Sequence, residues 1–116
     1  MKMKKLLEIK ELAQDFLRSP RVSRINDELS ITYDYELDSG DYGEKSIVFI
    51  NVYDYRHIIE SNVTPNMIEA YNSICEVLDS TWECNEMNLR DQHHYIIYFD
   101  GFGAYEILAK SYNIYQ

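Results

Sequence analysis

Between Val63 and Ser80 apolar side chains return every three or four residues. Met67, Ile68, Tyr71, Ile74, Cys75, Val77 and Leu78 fall on one side of a helical wheel; Asn66, Glu69, Asn72, Ser73, Glu76 and Asp79 fall on the other. Thr64 is a capping residue type, Pro65 suits the first helical position, and Val63 and Ile68 stand at the two positions of a hydrophobic staple. The spacing predicts an amphipathic helix over residues 63–80. A second helix is predicted over residues 3–18, where Met3, Leu6, Ile9, Leu12, Ala13, Phe16 and Leu17 line up opposite Glu8, Glu11, Asp15 and Arg18. Ser19-Pro20 closes it, and residues 21–26 read as an irregular connector.

Elsewhere the period shortens to two. Leu29, Ile31, Tyr33, Tyr35 and Leu37 alternate with Ser30, Thr32, Asp34 and Glu36, the pattern of a half-buried strand. Residues 38–44 form a loop by their Gly and Asp content, and residues 46–54 are the return strand. That strand is apolar on both faces (Val48, Ile50 and Val52 against Ile47, Phe49 and Tyr53), which places it inside its sheet. Residues 55–63 connect to the central helix. Residues 81–89 read as a third strand, Arg90-Asp91-Gln92 as a turn and His93–Phe99 as a fourth strand, broken at Asp100-Gly101. Tyr105, Leu108, Tyr112 and Tyr115 then recur at helical spacing and predict a C-terminal helix, with a fifth strand over Ser111–Tyr115 as the alternative. The expected architecture is one compact α+β domain spanning residues 1–116, in the order α-ββ-α-ββ-α. Its antiparallel four-stranded sheet would come from two hairpins, with helices packed on it.

Composition adds a capacity for a real core, with 46% hydrophobic residues, and no run of eighteen apolar residues that would span a membrane. The opening MKMKKLLEIKELAQDF is interrupted by Glu8, Lys10 and Glu11, so it reads as a helix rather than a secretory leader. Cys75 and Cys84 suggest no disulfide framework, and both are expected to be free thiols in a cytoplasmic protein.

Candidate chemistry is thin. His93 and His94, adjacent on a strand, face opposite ways, and His57, Asp91 and Cys84 offer no paired ligand spacing, so neither metal nor other cofactor is expected. Gly101-Phe102-Gly103 lacks the third glycine and the lysine of a phosphate loop. No serine or cysteine sits in a glycine-framed elbow, and enzymatic activity is not expected.

Charge changes the picture most. The net charge is −9, but residues 1–24 carry seven Lys or Arg against three acids, and residues 25–116 carry four against seventeen. So acidic a body is repelled by nucleic acid and anionic membrane and attracted to basic protein surfaces. Asp34, Glu36 and Asp38 recur on one face of the first strand at ~6.8 Å, twice the ~3.4 Å axial repeat of charge along one DNA strand. Asp41 and Glu44 in the loop, and Asp54 at the end of the return strand, extend the row, with Tyr42, Tyr53 and Tyr55 beside it as contact residues. These nine positions are the expected partner-binding surface.

The expected function is that of a small acidic inhibitor of a nucleic-acid-binding protein, acting partly by mimicry of nucleic-acid charge. In size and acidity the chain is similar to phage counter-defence proteins such as anti-CRISPR proteins, and to immunity proteins that neutralise basic nuclease toxins. A structural or regulatory homodimer is the remaining alternative, because the second apolar face of the return strand needs a cover.

Overall fold

The computed structural model describes residues 1–9, 19–71, 73–82 and 91–115. Among these, nine strands carry the chain: β1 (Met3–Glu8), β2 (Arg21–Ile25), β3 (Glu28–Glu36), β4 (Tyr42–Ile50), β5 (Asp54–Ile58), β6 (Ser73–Val77), β7 (His93–Phe99), β8 (Gly103–Ala109) and β9 (Ser111–Tyr115). They form a five-stranded sheet in the order β1-β6-β7-β8-β5 and a four-stranded sheet in the order β2-β3-β4-β9. Every pairing between named strands is antiparallel.

The two sheets pack face to face. Leu29, Ile31, Tyr33, Ile47 and Phe49 of the smaller sheet bury against Ile74, Tyr95, Ile97, Phe99, Tyr105, Ile107 and Ala109 of the larger. Aromatic rings bridge the layers, with Tyr33 and Phe99 at 6.1 Å and Phe49 and Tyr95 at 5.5 Å between centroids. Besides the passage from β1 to β2, which runs through residues outside those described, the chain changes sheet at two corners. Asn51, at φ +54, turns β4 out of the smaller sheet, and Lys110 alone separates β8 from β9, its N–H donating to the Ile50 carbonyl at 3.1 Å. A second, smaller core lies on the outer face of the larger sheet. There Cys75, Val77, Ile96, Tyr98 and Ala104 are covered by Met3, Ile58, Val63, Met67 and Ala70. The cover is a 3₁₀ turn (Glu60–Asn62) followed by the single-turn helix α1 (Pro65–Ile68).

The expected α+β class is overturned: the described chain is mostly strand, and its α-helix is a single turn rather than a long helix laid across a sheet. Thr64 and Pro65 do start a helix, with Thr64 in extended backbone at the cap, but it stops at Ile68 and residues 73–77 are β6. Ile74 enters the main core while Cys75 and Val77 enter the second, so a strand buried on both faces left an apolar pattern that a helix shares. The expected C-terminal helix is instead β8 and β9. All seven residues of β8 are buried, and β9 matches the alternative Ser111–Tyr115 strand. Of the expected helix over residues 3–18, Met3–Glu8 is β1, with Met3 packed on one core and Leu6 on the other; residues 10–18 lie outside the described residues. The connector of residues 21–26 contains β2, and that of residues 55–63 contains most of β5. The expected strand over residues 81–89 falls mostly outside the described residues. β3 and β7 lie where the alternation put them, and β4 begins four residues earlier than expected and ends at Ile50, central in its sheet. Among the described residues no helix is long and apolar enough to cross a membrane.

Candidate functional site

The β3–β4 hairpin gathers most of the acidic positions singled out above. Pairing sets Asp34 opposite Glu44 and Glu36 opposite Tyr42, on the face turned away from the main core. Two carboxylates directly across a strand pair repel. Arg21, from the neighbouring β2, answers both, with Nη2 at 3.0 Å from Asp34 Oδ1 and 3.6 Å from Glu44 Oε1. Asp34 is only 5% exposed, so it is a buried ion-pair member rather than an outward charge.

The acids beyond it are exposed. Leu37 N–H donates to the Asp41 carbonyl at 2.7 Å and Gly40 N–H to the Leu37 carbonyl at 2.9 Å. Gly40, at φ +86, supplies the left-handed residue that this turn requires. The turn thus fixes Glu36, Asp38 and Asp41 around two exposed apolar groups, Leu37 and Tyr42. Tyr53, Asp54 and Tyr55 do not share this face. Asp54 and Tyr55 belong to β5, the edge of the other sheet, where Asp54 Oδ1 accepts from the Tyr55 N–H at 2.8 Å and Tyr55 packs against the main core. Tyr53 is half-buried at the corner before β5, its N–H donating to the Leu108 carbonyl at 2.8 Å.

A second constellation, missed from sequence, occupies a cavity of about 350 Å³ on the outer face of the larger sheet. Glu106 of β8 is 1% exposed in an otherwise apolar strand. A carboxylate cannot stay charged there without partners. His94 Nε2 lies 2.7 Å from Glu106 Oε1, and Arg56 Nε donates to Oε2 at 2.7 Å. Register explains the meeting: Arg56 is the cross-strand partner of Glu106, and His94 sits on the adjacent strand β7. Burial pushes the Glu106 carboxyl up, but the hydrogen bonds from His94 and Arg56 and the Arg56 charge outweigh it and hold it at about 2. At neutral pH Glu106 is therefore the acceptor, and the His94 Nε2 carries the proton. His94 Nδ1, the other ring nitrogen, lies 2.6 Å from Ser80 Oγ. Ser80 Oγ in turn accepts the Trp82 N–H at 3.2 Å, and the Trp82 ring lies under Arg56 at 4.4 Å and against His94 at 5.1 Å. The one sequence signal for this cluster was an acid inside the apolar run Ala104–Ala109.

The remaining histidines are spread apart. His93 Nδ1 pairs with Glu76 at 2.6 Å on the opposite face of β7 from His94. His57 stacks on Tyr105 at 4.3 Å, its Nε2 at 2.8 Å from the Phe102 carbonyl. Cys84 lies outside the described residues; among those described, no three His, Cys, Asp or Glu side chains converge as metal ligands would. Comparison with protein-family models, with curated proteins and with solved structures finds no significant match.

Proposed function

We propose that this chain is a small acidic binding protein whose β3–β4 hairpin docks into the basic surface of a nucleic-acid-binding protein and blocks it. The observation that carries this reading is the hairpin end, where a fixed turn presents exposed Leu37 and Tyr42 within a ring of Glu36, Asp38 and Asp41. An apolar and aromatic centre with a charged rim is the anatomy of a contact surface, and a turn held by its own hydrogen bonds loses little entropy on docking. The field of the whole chain works in the same direction. From residue 25 to residue 45 there are seven acids and one lysine, and the chain carries −9 overall. Such a field speeds encounter with a basic groove and disfavours anionic partners. Mimicry of evenly spaced nucleic-acid charge is a smaller part of this reading than the sequence suggested, because Asp34 is buried against Arg21. An immunity protein of a basic nuclease would use the same surface.

Affinity capture tests the reading. The immobilised protein is exposed to lysate and eluted with rising salt or with duplex DNA. The expected result is a nucleic-acid-binding protein released by both, and not retained by a Glu36→Gln/Asp38→Asn/Asp41→Asn variant. Equal retention by parent and variant, or retention that DNA does not compete, would overturn it.

A further inference from the structure

The cavity on the larger sheet belongs to a different surface from the hairpin, and its chemistry goes beyond binding. We infer that Ser80, His94 and Glu106 form a nucleophilic relay that accepts an acyl group from a small carboxylic ester bound beside Arg56 and Trp82. Three features of the geometry carry this. Ser80 Oγ, His94 Nδ1, His94 Nε2 and the Glu106 carboxylate form one unbroken chain, with steps of 2.6 and 2.7 Å on either side of the ring. The order is hydroxyl, imidazole, carboxylate, which is what activation of a serine requires. The ring offers Nδ1 to the hydroxyl and Nε2 to the acid, the reverse of the commonest arrangement. The chemistry is unchanged, because the acid still fixes the tautomer and leaves the other nitrogen basic.

Exposure is graded in the right direction. Glu106 and His94 are buried at 1% and 6%, while Ser80 is exposed at the cavity that all three line. A purely structural network would have no need to end on an accessible hydroxyl. The backbone N–H of Trp82 donates to Ser80 Oγ at 3.2 Å, which fixes where the hydroxyl oxygen sits beside the ring. Arg56, half-exposed and held by Glu106 and the Trp82 ring, is a cation lining the same cavity. Val77 and Trp82 supply apolar wall, and about 350 Å³ suits a short acyl ester rather than a polymer.

The step balances within the chain and its substrate. Ser80 Oγ bonds to the ester carbonyl carbon as its proton passes to His94 Nδ1, and the carbonyl electron pair moves onto oxygen. Collapse re-forms the carbonyl, breaks the bond to the alkoxy group and returns the proton from Nδ1 to the departing alcohol. Water, deprotonated by the same nitrogen, then releases the acid and restores Ser80. Ser80 and His94 are the catalytic residues of this reading, and Glu106 is a positioning residue that acts through His94.

The test uses the full chain and two probes, an alkyl fluorophosphonate and p-nitrophenyl acetate. The parent is expected to be labelled stoichiometrically by the fluorophosphonate at Ser80, by peptide mass mapping, and not at the exposed Ser39, Ser61 or Ser111. It is expected to release more than one equivalent of p-nitrophenol. Ser80→Ala should lose both signals while keeping the parent's circular dichroism, since Ser80 is exposed and lies outside the strands. Glu106→Gln, measured where it is folded, should label ~10²- to 10⁴-fold more slowly and shift the pH profile of labelling downward; a packing role would leave the rate per folded molecule and the profile unchanged. Failure of the parent to label at Ser80, or labelling no faster than at the three control serines, would overturn the inference without recourse to any variant.

Discussion

Replacing Glu106 by Gln keeps its size and removes its charge, and the structure fixes what that should cost. The carboxyl ordinarily titrates at 4.5 and is held at about 2 in the folded chain, a difference worth roughly 3 kcal/mol. The sign follows from linkage. A carboxyl whose folded value lies below its unfolded value stabilises the fold above the unfolded value and loses that contribution as pH falls toward the folded one. The contribution is therefore about 3 kcal/mol at pH 7, about 1 at pH 3, and close to nothing below pH 2. The amide of the Glu106→Gln variant resembles the neutral acid at every pH, so the parent should exceed the variant by these amounts. Arg56 and His94 are the groups that face the carboxylate, with Ser80 and Asp79 in the same cavity. Both chains keep all four of those neighbours. Urea unfolding followed by Trp82 fluorescence at pH 7, 5 and 3 gives the difference directly. A variant as stable as the parent at pH 7, or a gap that stays constant down to pH 3, would refute the view of Glu106 as a buried, doubly anchored carboxylate.

Substitutions at three places probe the fold. A Cβ at Gly103 would meet the Ile58 carbonyl oxygen at 2.1 Å in backbone at φ +100, so Gly103→Ala should abolish cooperative melting. Gly101→Ala, at φ +84 in open space, should cost only about 1 kcal/mol by the same melts. Ile74→Asp places a charge between the sheets at a fully buried position and should cost more than ~4 kcal/mol in chemical denaturation, whereas Glu69→Ala on the exposed end of α1 should fall within ~0.5. Arg21→Ala leaves Asp34 and Glu44 facing each other without the guanidinium and should cost roughly 2 kcal/mol, recovered in part by Asp34→Asn in the same chain; additive costs in a double-mutant cycle would speak against the bridge.

What the sequence revealed depended on how many faces of a strand are wet. β3 has one buried face, so Leu29, Ile31 and Tyr33 stand out against Ser30 and Thr32, and the hairpin with its acids was legible. β6 and β8 are buried on both faces by the two cores, so their apolar runs carry no period of two. Residues three apart then look like one side of a helix although they lie on opposite faces of a strand, as Met3 and Leu6 do on β1. The helix start at Thr64-Pro65 was legible because a proline at the first helical position is a local signal; its early end was not, because sheet pairing decided it. The Ser80–His94–Glu106 chain was hidden for a related reason. Its members come together only through the pairing of β5, β7 and β8, and the helix expected after Ala104 hid the strand that carries Glu106.

Association kinetics test the binding account most directly. The partner recovered by capture is mixed with the parent and with the Glu36→Gln/Asp38→Asn/Asp41→Asn variant at low and at physiological salt. The parent should associate fast at low salt and much more slowly at physiological salt. The variant should associate roughly tenfold more slowly at low salt, with a flatter salt dependence and a largely unchanged dissociation rate. Identical association rates for parent and variant in both salts would contradict the claim that the hairpin acids guide this protein to its partner.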